Sequence, residues 1–228
     1  MELQGLYAIL DLDAWRARGV DLVERRAALT EIALALLRAR PAMLQLRAKH
    51  ASARDTLAML RALVPLSQQA SVPLVANDRV DLALLARVPV VHLGQDDLPL
   101  ADARRIAPAL VFGRSTHDDA ELGAELAARA DYVAFGPVFA TASKQDASPV
   151  VGLERLATAA RAASAAAIPL VAIGGVTRDN AAKLVEVGVR CAAAISDLVA
   201  LDEHGAPQLD EIERRARGLG EVLRGGRG

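Results

Sequence analysis

The sequence predicts an α/β chain of the (β/α)8 TIM-barrel class, and three observations predict it. Short apolar runs alternate with longer Ala-, Leu- and Arg-rich stretches of helical spacing. The alternation continues along the whole length without a break in composition, so one domain over residues 1–228 is expected. No Gly-x-Gly-x-x-Gly follows the first apolar run, which disfavours the competing doubly wound dinucleotide-binding sheet.

The strands expected in order are Leu6 to Leu10, Met43 to Leu46, Pro73 to Ala76, Val88 to Leu93, Leu110 to Gly113, Tyr132 to Phe135, Leu170 to Ile173 and Ala192 to Ser196. Each is a short apolar run, the pattern of a strand buried on both faces. Helical spacing places helices between them at 20–38, 53–70, 79–86, 100–107, 118–129, 153–166 and 178–187, and one more at 209–223 closes the chain. Parallel strands joined by right-handed crossovers then close into a barrel whose chemistry sits where strands end and βα loops begin.

Bulk properties exclude several function classes. Basic and acidic residues number 27 and 28 and aromatics make up 3%, so neither a basic footprint nor stacking platforms for nucleic acid are present. No run of about 18 apolar residues occurs, and the N-terminus lacks a basic and apolar leader, so a cytoplasmic protein with no membrane partner is expected. The single cysteine, Cys191, lies among apolar neighbours and reads as an inert core thiol.

Polar residues at the strand ends carry the functional signal. Asn77-Asp78 and Gly94-Gln95-Asp96-Asp97 follow neighbouring apolar runs, and carboxylates brought side by side at one rim repel unless a cation lies between them. Magnesium suits the pair Asp78 and Asp97, because it takes one or two carboxylates and completes its shell with phosphates and water. Period-two alternation turns Gln45, Arg47 and Lys49 the same way. Two cations and an amide donor suit a diphosphate, although a solvated strand end is an equally simple reading of them. Ser115 and Thr116 follow the fifth strand, and their hydroxyls could donate to a phosphate, with capping of the next helix the simpler reading. The loop after the sixth strand carries Thr141, Ser143 and Lys144, a length and composition typical of binding loops. Gly174, Gly175, Ile195 and Ser196 follow strands seven and eight, where barrels often bind phosphate. His92 reads as a hydrogen-bonded core or rim residue, and His117 as a cap neighbour.

Taken together, Gln45-Leu46-Arg47-x-Lys49, Asn77-Asp78-Arg79-Val80-Asp81, His92-Leu93-Gly94-Gln95-Asp96-Asp97-Leu98, Gly113-x-Ser115-Thr116-His117, Asp131-Tyr132-x-x-Phe135-Gly136-Pro137-Val138-Phe139-x-Thr141-x-Ser143-Lys144 and Ile173-Gly174-Gly175 closely resemble the thiamine-phosphate synthase family, in order and over nearly the whole chain. The resemblance implies a transferase that joins hydroxymethylpyrimidine diphosphate to a thiazole phosphate, carboxylated or not, and releases diphosphate. It implies Mg2+ on Asp78 and Asp97, the diphosphate on Arg47, Lys49, Asn77 and Lys144, and the pyrimidine edge on Gln45. Ser115 would contact the pyrimidine substrate or its leaving group, and Thr141, Ser143, Gly175, Ile195 and Ser196 the thiazole phosphate. Arg47, Lys49, Ser115 and Lys144 would carry the catalytic work. The chain departs from the family's pattern at Ala48, usually acidic, at Ala142-Ser143, usually Pro-Thr, and at Leu85-Ala86-Arg87-Val88-Pro89 and Gly188-Val189-Arg190-Cys191, where relatives tend to have Gly-Ala-Asp-Gly. None of these removes a ligand. A thiazole tautomerase-like barrel and a non-catalytic thiamine-phosphate-binding homologue are the alternatives, and a homo-oligomer is compatible with all three.

Overall fold

The computed structural model describes residues 3–141 and 149–225. Eight parallel strands close in sequence order, β1 (Gly5–Asp11), β2 (Met43–Arg47), β3 (Leu74–Asn77), β4 (Val90–Leu93), β5 (Val111–Thr116), β6 (Tyr132–Phe135), β7 (Leu170–Ala172) and β8 (Cys191–Ala194). The ring is shut by β1 pairing with β8, Gly5 opposite Cys191.

The main helices on the outside are α2 (Arg26–Arg38), α3 (Ala53–Ala70), α4 (Val80–Ala86), α5 (Leu100–Ile106), α6 (Asp119–Ala127), α7 (Gly152–Ala165), α8 (Ala181–Glu186) and α9 (Leu209–Leu223). Their apolar faces and the outward-facing strand residues, among them Leu6, Leu44, Leu74, Val91 and Val133, form one layer of core. The barrel interior forms a second, with Tyr7, Met43, Val75, Val90, Tyr132, Ala134, Val171 and Cys191. Alternate residues of each strand serve the two layers, as period-two geometry requires. No helix among the described residues is long and apolar enough to cross a membrane.

Three expectations are corrected. The helix placed at 20–38 begins at Arg26, because the Asp21 carboxylate takes the N–H groups of Val23 and Glu24 into a turn. Instead, a one-turn helix α1 (Leu12–Arg16) follows β1 directly, capped by Asp11. The eighth strand stops at Ala194, and Ser196–Leu198 turn in a 3-10 segment. The fifth strand runs on to Thr116, so Ser115 and Thr116 belong to the sheet. Neither caps a helix: Asp118 caps α6 by accepting from the Glu121 N–H at 2.8 Å, and Glu121 in return accepts from the His117 N–H at 2.7 Å.

Candidate active site

Strand register brings the polar strand ends to one rim. In β3 and β4, Asn77 lies opposite His92, and the Asp78 N–H donates to the His92 carbonyl at 2.9 Å. Asp78 leaves the strand with φ +62°, a left-handed backbone that Asp and Asn adopt more readily than most residues. That turn places its carboxyl beside Asp97. Asp97 is oriented by its own loop, accepting from the Gly94 N–H at 2.6 Å. The loop in turn is held from below by Arg114, which donates to the Gly94 carbonyl at 2.8 Å while pairing with buried Glu125 at 2.8 Å.

The two side chains lie within hydrogen-bonding reach of each other. The Asp78 carboxyl is pushed up to about 6, first by burial and then by Asp97, with Lys49 and Arg47 pulling the other way. Lys49 Nζ stands 3.7 Å from Asp78. No cluster of three or more His, Cys, Asp or Glu side chains suited to a metal exists among the described residues. Among the described residues, the acidic pair is the carboxylate contribution to a cation at this rim. That set fits magnesium, a hard cation that often keeps most of its shell for waters and phosphate oxygens. It does not fit zinc, which favours three or four nitrogen, sulfur or carboxylate ligands from the protein.

Gln45, Arg47 and Lys49 come to the same region but not into one cluster. Gln45 is 2% exposed and points into the barrel, where Nε2 donates to Tyr7 Oη at 2.6 Å. Arg47, opposite Asp11 in the β1–β2 register, pairs with Asp11 and approaches Asp13 at 3.7 Å. Asp11 itself is 1% exposed and also accepts the N–H groups of Asp13 and Ala14. One buried carboxylate therefore caps α1 and fixes the guanidinium, leaving other N–H groups of Arg47 to point elsewhere. Lys49 lies beyond the strand end, half exposed, next to Asp78. A cavity of about 150 Å³ is lined by Lys49, Asn77, Asp78 and Arg79 at its polar end and by Leu46, Thr56 and Leu60 toward α3.

The opposite side of the rim is built from glycine. Gly174 and Gly175 have φ +88° and +66°, and a Cβ on Gly175 would lie 2.5 Å from the Ala140 carbonyl. The loop after β6 is laid onto the loop after β7 by Val138 N–H to the Ile173 carbonyl, 2.8 Å, and Phe139 N–H to the Gly174 carbonyl, 3.1 Å. Thr141 follows at once, so its backbone is brought to the Gly175 turn. Asn180 stiffens that turn, accepting from the Thr177 N–H at 2.9 Å and donating to the Gly175 carbonyl at 2.8 Å. Ile195 and Ser196 stand where β8 gives way to the 3-10 segment, which Asp197 ties to Arg178 at 3.0 Å. Ser143 and Lys144 lie outside the described residues.

Sequence reasoning missed Asp11, Tyr7, Tyr132, Arg114 and Glu125. Only Asp11 carried a visible signal, an acid at the end of an apolar run. The roles of His92 and His117 stand as expected: His92 is buried with two ring partners, and His117 pairs with Glu121 at 3.0 Å.

Residues 20–198 match the family model described as thiamine monophosphate synthase. The chain belongs to that family. The thiamine-phosphate synthase of Roseiflexus sp. (strain RS-1) is 40% identical over 198 residues, covering 85% of this chain and 80% of that protein. The one from Anaeromyxobacter dehalogenans is 41% identical over 186 residues, covering 81% and 80%. Among solved structures, the thiamine phosphate pyrophosphorylase of Pyrococcus furiosus superposes with a TM-score of 0.80 at 28% identity, covering 99% of this chain and 98% of that one. The expected fold class and family are both borne out.

Proposed function

We propose that this barrel makes thiamine phosphate from a hydroxymethylpyrimidine diphosphate and a thiazole phosphate. The C–O bond to diphosphate breaks, a C–N bond forms to the thiazole nitrogen, and diphosphate departs with the electron pair of the broken bond. The step needs neither a covalent nucleophile nor a general base from the protein, in keeping with Cys191, whose thiol burial pushes up to about 12. The observation that supports the reading most directly is the adjacency of Asp78 and Asp97, where burial and the neighbouring acid both raise the Asp78 carboxyl.

Asp78 and Asp97 would hold Mg2+, which when bound neutralises charge on the departing diphosphate. Lys49 and Asn77 border one cavity and Arg47 ends the neighbouring strand; with Lys144, which lies outside the described residues, they would form the cationic and amide cradle for that anion. Arg47 is pre-oriented by Asp11, so little side-chain entropy is lost when it engages a phosphate. Gln45 and Ser115 face the pyrimidine from inside the barrel. Gly175, Ile195 and Ser196, with Thr141 and Ser143, take the thiazole phosphate, where left-handed glycines let backbone N–H groups approach an anion.

A two-substrate assay tests the reading. Asp97→Asn should cut kcat/KM by ~10²-fold or more, the scale of removing a charge that acts on a leaving anion. A barrel that instead isomerised the thiazole alone would turn it over without the pyrimidine and would keep its rate in Asp97→Asn. That result would overturn the proposal.

A further inference from the structure

Across the inside of the barrel, five side chains from five strands touch in series. Gln45 Nε2 donates to Tyr7 Oη at 2.6 Å, Tyr7 Oη lies 3.1 Å from Tyr132 Oη, Tyr132 Oη lies 3.0 Å from His92 Nδ1, and His92 Nε2 lies 2.9 Å from Ser115 Oγ. All five are buried. The two ends, Gln45 and Ser115, are the groups assigned above to the pyrimidine substrate, and nothing assigned so far uses the three in the middle.

The packing holds the series in one arrangement. Tyr7 meets Tyr132 edge-on with ring centres 6.2 Å apart, and His92 stacks on Tyr132 at 5.6 Å and 27°. Gly113 lies in register with His92 on one side and Tyr132 on the other. A Cβ there would fall 1.9 Å from Tyr132 Cζ, so the glycine is the gap through which the tyrosine ring reaches the histidine. Both phenols keep their protons, because burial pushes their ionisation well above the ordinary range.

Hydrogen counting then sets a direction. Tyr7 receives a hydrogen from Gln45, so its own goes to Tyr132. Tyr132 has one hydrogen left to give, and His92 Nδ1 takes it. An imidazole that accepts at Nδ1 carries its hydrogen on Nε2 and donates it to Ser115. Ser115 Oγ, already accepting inside the barrel, retains its own hydrogen for the pocket. We propose that Gln45, Tyr7, Tyr132, His92 and Ser115 form a one-way hydrogen-bond chain that keeps the Gln45 carbonyl oxygen as an acceptor and the Ser115 hydroxyl as a donor toward the pyrimidine diphosphate. Tyr7, Tyr132 and His92 act as positioning residues, and the catalytic part of the inference rests on the function proposed above. The chain couples the end that reads the pyrimidine's amino edge to the end that faces the substrate's acceptor atoms. Reversing the Gln45 amide would reverse every bond in it, placing a hydrogen on His92 Nδ1 and turning the serine's hydrogen inward.

The test has two arms. Long-range 1H–15N correlation spectra of the free protein report which ring nitrogen of each of the four histidines carries hydrogen, with His92 assigned by the signal lost in His92→Asn. The chain requires the Nε2–H tautomer in the wild type and its conversion to a tautomer mixture in Tyr132→Phe; an Nδ1–H tautomer, or a spectrum unmoved by Tyr132→Phe, overturns it. In turnover, Tyr132→Phe should lower kcat by ~10-fold, the scale of removing an orienting partner, with KM for the thiazole phosphate unchanged. Tyr132→Phe combined with Ser115→Ala should be no slower than Ser115→Ala alone, since the tyrosine acts through the serine. Losses that multiply overturn the coupling. Wild-type protein that shows the expected tautomer but forms no thiamine phosphate refutes the assigned reaction and leaves the wiring standing.

Discussion

Replacing Asp78 by Asn should stabilise the metal-free protein while abolishing its response to magnesium. Asparagine tolerates the φ of +62° at this position and mimics a protonated carboxyl in size. A carboxyl displaced from 3.8 to about 6 carries at most about 3 kcal/mol of ionisation penalty at neutral pH. With 20% of the side chain exposed and Lys49 nearby, about 1–2 kcal/mol survives solvent screening. For a chain of this size that is a rise in Tm of about 2–8 °C in EDTA at pH 7.5. The sign follows from linkage. A carboxyl whose folded-state value is raised favours the folded state below its unfolded value of 3.8, and that contribution is lost as pH climbs through about 6. The stability gap between Asp78→Asn and wild type should therefore be small near pH 4, open as pH climbs through about 6 and level off above it. Saturating magnesium should then reverse the order, because only the wild type gains by binding it. Thermal unfolding of both proteins across this pH range, in EDTA and in magnesium, checks each point. A variant less stable than wild type at pH 7.5 in EDTA, or a gap that does not change with pH, would refute the claim that the two acids oppose one another.

Two further outcomes are expected. Gly175→Ala combines a strained φ of +66° with a Cβ placed 2.5 Å from the Ala140 carbonyl, so it should raise KM for the thiazole phosphate by ~10-fold or more; steady-state kinetics with each substrate varied in turn checks the selectivity of that effect. Cys191, 1% exposed and with a thiol pushed up to about 12, should resist alkylation in the native protein and react only on unfolding, which mass spectrometry after a timed iodoacetamide pulse would show.

The barrel was legible because its strands are dense apolar runs and the acids that end β3 and β4 sit immediately beyond them. Asp78 and Asp97 needed only chain-local patterning and the rule that consecutive strands are neighbours. The Gly174-Gly175 turn was equally plain. What escaped were partnerships between residues far apart in the chain. Tyr7 and Tyr132 look like ordinary strand residues, and only closure of the ring brings two phenols 125 positions apart into contact. Asp11 and Arg47 belong to different strands, and their pairing depends on a register that no short window contains. The error at 20–25 has a local cause. Val20, Leu22 and Val23 carry helix-like spacing, but Asp21 competes for the backbone N–H groups that a helix would need. The end of β8 was misplaced because Ile195 is apolar enough to extend the strand, although its backbone, at ψ −78°, leaves the extended region and opens the 3-10 turn.

The central claim is that two acids at one rim hold a divalent ion that helps diphosphate leave. A two-substrate assay of the purified chain, run in EDTA and then with excess magnesium restored, tests it most directly. Thiamine phosphate and diphosphate should appear in equal amounts with magnesium, cease in EDTA and return when magnesium is added back; formation of thiamine phosphate at an undiminished rate in EDTA would contradict it.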